Sequence, residues 1–168
     1  MYGVRSLYNL FKAYRGKRAA VRLLAPFIDR SLWQTGAVSP ATWVKAYVVG
    51  YVTTLITVTS QDAVDGLEGN TLGLVQLEAW GQLTGLPSDL IGERILSFSL
   101  TDDADFAAGC RDGLTFARAL LSKSSARVPV SLFPSTGPVR EISGAFSAIE
   151  EELATLWNNS IGLRLEAP

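Results

Sequence analysis

The chain has 168 residues, of which 48% are hydrophobic, 18% charged and none histidine. Charged residues fall below the roughly 25% usual for globular proteins, so the apolar excess needs a core, a partner surface or a membrane to cover it. Without histidine, Ser-His-Asp and Cys-His catalysis and His-ligated zinc are excluded, and a single cysteine, Cys110, excludes an internal disulfide or a Cys-rich zinc cluster. The net charge of −1 conceals a polarity: residues 1–30 carry seven basic groups against Asp29 alone. A basic head is therefore joined to an acidic body.

The first segment places Val4, Leu7, Tyr8, Leu10, Phe11 and Tyr14 at helical spacing, with Arg5, Asn9, Lys12 and Arg15 elsewhere on the wheel. Gly16 is a candidate break. A second helical run from Ala19 to about Trp33 carries Val21, Leu24, Phe27, Ile28 and Leu32, and Pro26 should kink or end it. Residues 1–25 are rich in arginine and free of acids, as organellar transit peptides are, but serine is scarce and the periodicity continues into structural sequence. The segment is kept as part of the folded protein, a basic amphipathic helix.

Ser39-Pro40 reads as an N-cap followed by proline at the first helical position. From Ala41 to Thr59, Val44, Tyr47, Val48, Tyr51, Val52, Leu55 and Ile56 follow helical spacing, while residues 52–59 are β-branched enough for a strand. Length and the Ser-Pro start favour a buried helix over residues 42–58. Its charge-free run, residues 46–61, is diluted by four threonines, a serine and a glutamine. A spanning helix wants about 20 predominantly apolar residues, so a core helix is the better reading.

Further helices are expected from Thr71 to Thr84, with Asn70 as cap and Gly85 as left-handed stop, and from Pro87-Ser88-Asp89 onward. A stronger one follows Asp102, Asp103 and Asp105, with Phe106, Gly109, Cys110, Gly113, Leu114, Ala117, Leu120 and Leu121 as its stripe. The acids suit a cap better than a calcium loop, which needs a turn glycine and a distant glutamate. Gly109 and Gly113 let another helix approach, and Cys110 packs as a small hydrophobe. Residues 124–138 form a Pro-rich connector, and Pro138 opens a last helix with Ile142, Phe146, Ile149, Leu153, Leu156 and Trp157, followed by an apolar tail, Ile161, Leu163 and Leu165.

Phosphate-binding glycine motifs, nucleophile elbows and cofactor signatures are absent from the sequence. Trp80–Ile91 has helix-turn-helix spacing, but Asp89 and Glu93 beside Arg94 would repel phosphate, leaving an ordinary helical hairpin. Asp62, Asp65 and Glu68, with Gly66 and Gly69 between and after them, are the weak candidates for a divalent ion. The expected architecture is all-α: one domain, 1–168, of about six or seven helices around the central apolar helix. The expected function is a non-enzymatic interaction or oligomerisation module. Its basic helix, through Arg5, Lys12, Arg15, Lys17, Arg18 and Arg22, would contact an acidic protein partner or an anionic membrane surface, in the cytoplasm or peripherally at the membrane. No cofactor is expected. A carboxylate- or divalent-ion-dependent enzyme is the alternative, and weak nucleic-acid binding through the basic head comes third.

Overall fold

The computed structural model describes residues 2–35, 38–125 and 151–165. The described chain is all helix: α1 (Tyr2–Thr35), α2 (Pro40–Trp43), α3 (Ala46–Ala63), α4 (Gly69–Thr84), α5 (Ser88–Leu100) and α6 (Ala104–Ser125). A seventh, α7, is seen over 151–157; it runs into a π-helical turn (Asn158–Gly162) and a short α8 (Leu163–Leu165). The connector at 126–138 and the stripe residues Ile142, Phe146 and Ile149 lie outside the described residues.

α3 is the axis of the fold. Tyr47, Val48, Val49, Tyr51, Val52, Leu55 and Ile56 are all buried, and α1, α4, α5 and α6 pack around them. The helix-or-strand ambiguity of residues 52–59 resolves as helix, and three hydroxyls in and beside that run are satisfied within it, whereas that of Thr53 is buried without a hydrogen-bond partner among the described residues. Thr57, Thr59 and Ser60 donate to the carbonyls of Thr53, Leu55 and Ile56, one turn back, at 2.6–2.8 Å. Thr57 also accepts from the amide of Gln76 on α4 at 2.8 Å, tying the two helices together. Ser39 is an N-cap as its sequence suggests, accepting from the Thr42 N–H at 3.2 Å, but the helix it opens is the short α2, and the central helix expected over 42–58 starts afresh at Ala46.

The tightest packing is between α3 and α6. A Cβ built on Gly109 would stand 2.1 Å from the Tyr47 carbonyl oxygen, and one on Gly113 would stand 2.6 Å from that of Tyr51. From the other side, a Cβ on Gly50 would meet the Phe106 carbonyl at 2.3 Å. Three missing side chains thus let two backbones touch, as the Gly109/Gly113 spacing anticipates.

Two expected breaks do not occur. α1 runs through Gly16 because that residue faces the body, where its bare backbone packs against Leu67, Ser60 and Val75. It runs through Pro26 because the proline is exposed, as is Arg22, whose carbonyl loses its intrahelical donor and can be solvated instead. α4 begins two residues earlier than expected, at Gly69, and Asn70 does not cap it. At the α5–α6 corner, Asp103 accepts from the Phe106 N–H at 2.9 Å and caps α6, and Asp105 lies in its first turn. Gly85 ends α4 at φ 75°, in the left-handed region.

Candidate functional site

The inward face of α1 is built from Ala13, Gly16, Ala20, Leu24, Ile28 and Ser31. These recur every three or four residues, so they fix which side of the helix meets the body. The N-terminal half of that face is made of small residues, because α1 lies close to α4 and to the end of α3 there. Its large apolar residues consequently point elsewhere. Leu7, Tyr8, Leu10, Phe11 and Tyr14 keep between 55 and 70% of their surface exposed. The buried aromatic side chains of the core include Tyr47, Tyr51, Trp43, Trp80 and Trp157 instead.

At about 100° per residue, the line diametrically opposite the buried one passes near Tyr8, Phe11, Arg15, Arg18 and Arg22, with Leu7 and Tyr14 on its flank. The outer face of α1 is therefore apolar and aromatic toward its N-terminus and triply cationic in its middle. Cations and rings interleave along the helix. Lys12 lies over the Tyr8 ring at 5.0 Å, Arg15 over Phe11 at 5.9 Å and Lys17 over Tyr14 at 6.0 Å. Phe11, Tyr14, Arg15, Arg18, Arg22 and Ala63 border a recess of about 750 Å³. Arg22 also borders smaller grooves with Arg30, and with Lys17 and Gln82.

The six basic residues singled out from the sequence divide by role. Lys12 donates to the Asp65 carbonyl at 2.9 Å, and Lys17 pairs with Glu78 at 3.0 Å. Both hold the flanks of α1 to the body. Arg15, Arg18 and Arg22 are exposed and, among the described residues, have no carboxylate partner. Arg5 lies on α1, but its side chain is outside the described ones. The other anticipated cluster does not assemble. Asp62 ends α3, Asp65 lies in the following turn and Glu68 precedes α4, and no group of three or more such ligands able to hold a metal ion occurs among the described residues.

A second polar constellation, absent from the sequence reading, joins three distant parts of the chain. The Tyr47 hydroxyl donates to Asp112 Oδ2 at 2.7 Å and lies 3.2 Å from the Ser160 carbonyl. The Ser160 hydroxyl donates to the Leu156 carbonyl at 2.8 Å, which makes Tyr51, 2.7 Å away, the donor to Ser160. Burial pushes the ionisation of both phenols upward, and at Tyr47 the hydrogen bond and the negative charge of Asp112 add to it. Both tyrosines are thus neutral structural donors. Beneath them Trp157 donates to Ser31 at 2.8 Å, and its ring packs against Phe27, Tyr51 and Phe116.

Among the described residues, no helix is long and apolar enough to cross a membrane. Comparison of the chain with protein-family models, curated proteins and solved structures gave no match.

Proposed function

We propose that the protein is a helical interaction module that attaches peripherally to an anionic membrane surface through the outward face of α1. The observation that supports this reading is the placement of Tyr8 and Phe11 in line with Arg15, Arg18 and Arg22, flanked by Leu7 and Tyr14, on an exposed face whose arginines have no carboxylate partner among the described residues. A solvated helix face would carry charge without large side chains. This one carries both, in the arrangement of helices that lie in the plane of a bilayer interface.

An acidic protein surface would also answer the three arginines. The apolar residues favour lipid, because Leu10, Leu7, Phe11 and Tyr8 spread over a wide arc of the helix rather than a narrow ridge. A fluid phase can cover such an arc; a groove covers one stripe. Each arginine near an anionic leaflet contributes about 1 kcal/mol. Immersing the exposed parts of Leu7 and Phe11 adds about 1–2 kcal/mol each. The total suits reversible attachment.

Vesicle co-sedimentation tests this. The protein should pellet with phosphatidylserine-containing vesicles, progressively less as salt rises, and not with pure phosphatidylcholine. Reversing Arg15, Arg18 and Arg22 together to Glu should weaken binding at least about a hundredfold. Equal binding to both vesicle types, or a triple variant that binds undiminished, overturns the proposal. A wild type that ignores both also overturns it and moves the face to a protein partner.

A further inference from the structure

Where the π-helical turn meets α6, Asp112, Thr115, Phe116, Leu156, Asn159 and Ser160 line a recess of about 270 Å³. π-turns insert an extra residue into a helix, re-aim the side chains that follow, and are frequent at functional sites. This turn is held by the buried phenols of α3, through the bonds of Tyr47 and Tyr51 to Asp112 and Ser160. The rim of the recess is therefore positioned by the core.

Among the described residues, Asp112 has no cationic partner within 4 Å, and its one side-chain donor is the Tyr47 hydroxyl on Oδ2. Arg164 stacks over the Tyr47 ring at 3.6 Å and forms no ion pair with Asp112. The recess combines a fixed carboxylate, the polar groups of Asn159 and Thr115, and an apolar wall of Phe116 and Leu156. An anion would be repelled there, and a purely apolar molecule would leave the rim unanswered.

We propose that this recess binds the ammonium group of a small organic amine, with its hydrocarbon part against Phe116 and Leu156. At about 30 Å³ per water-sized group, it holds roughly nine non-hydrogen atoms. A ligand of that size reaches about millimolar affinity without further closure. The recess shares no residue with the outer face of α1, so either site can fail alone.

Phenethylamine is a suitable probe, with 2-phenylethanol as its neutral counterpart, followed by backbone-amide NMR. Saturable shifts at Asp112, Thr115, Asn159 and Ser160 are expected, with a Kd of about 1 mM or tighter. The alcohol should bind at least about tenfold more weakly. Asp112→Asn retains an acceptor for Tyr47 and should lose a similar factor. Leu156→Ser, at a partly exposed position, should weaken the amine without changing the far-UV spectrum. No saturation at ten times that concentration, or an alcohol as tight as the amine, overturns the proposal in the wild-type protein alone. An undiminished affinity in Asp112→Asn overturns it as well.

Discussion

Gly109→Ala is the most informative single change to the fold. Its new methyl would sit 2.1 Å from the Tyr47 carbonyl oxygen and 2.9 Å from the Tyr51 amide nitrogen, both backbone atoms of the central helix. No side chain can swing away to make room. An ordinary contact requires α3 and α6 to part by more than an ångström, and a gap of that size forfeits much of the dispersion energy along the seam. Overpacking of this kind costs about 1–3 kcal/mol or more. The separation also stretches the bonds from Tyr47 and Tyr51 to Asp112 and Ser160, each worth about 1 kcal/mol or more. Against this stands the better helix propensity of alanine, about 0.8–1 kcal/mol. The net loss is about 2–4 kcal/mol, which in a chain of this size lowers Tm by roughly 4–15 °C.

Gly73→Ala is the matched control. Gly73 lies in α4, and nothing stands within 4 Å of its would-be methyl. The propensity gain is then unopposed, and Tm should rise by about 2–4 °C. Thermal and urea unfolding followed by circular dichroism measure both. If Gly109→Ala matches Gly73→Ala in sign, the close approach of α3 and α6 is not what that glycine provides.

Three other outcomes are expected. Trp157 and Trp80 are both fully buried, but Trp157 donates to Ser31, whereas the Trp80 indole N–H has no partner among the described residues. With the same loss of ring volume, Trp157→Phe should therefore cost about 1–3 kcal/mol more than Trp80→Phe in urea unfolding. Tyr47 and Tyr51 both ionise later in the fold than in the unfolded chain, so the unfolded state loses protons first as pH rises above about 10. Their contribution is complete below that pH and fades above it, by up to about 1.4 kcal/mol per pH unit from buried Tyr51 and less from Tyr47, whose hydroxyl is screened near the surface. Tyr51→Phe should flatten that alkaline decline in Tm; an unchanged slope contradicts the assignment. Glu78→Gln breaks the half-exposed pair with Lys17 and should cost no more than about 1 kcal/mol, read by the same urea titration.

The sequence makes the helical class, the axial role of the apolar run and the small-residue seam legible, because each follows from local spacing. Gly109 and Gly113 lie one turn apart on an apolar stripe, and only close approach of another helix uses that pattern well. The facing of α1 is harder to read. Hydrophobic periodicity identifies an amphipathic helix, yet it cannot say that Ala13 and Gly16, rather than Phe11 and Tyr14, are turned inward. Packing distance decides that, and it depends on Leu67, Ser60 and Val75, far away in the chain. Taking the basic residues of α1 by charge alone also hides the aromatic residues three and four positions before Lys12, Arg15 and Lys17. The Asp112–Tyr47–Ser160 constellation was illegible for a plainer reason. Its members are separated by 65 and 113 residues and belong to no motif.

The proposed membrane attachment requires the outer side of α1 to meet the lipid, and a fluorophore placed on that side tests it most directly. In a Cys110→Ala background, an environment-sensitive probe attached through Phe11→Cys marks the outer face, and one attached through Ser99→Cys marks the exposed side of α5. On addition of phosphatidylserine-containing vesicles, the probe at position 11 should shift to the blue and become shielded from an aqueous quencher, while the probe at position 99 remains unchanged. Equal responses at both positions, or a probe at position 11 that stays in water while the protein is vesicle-bound, would contradict it.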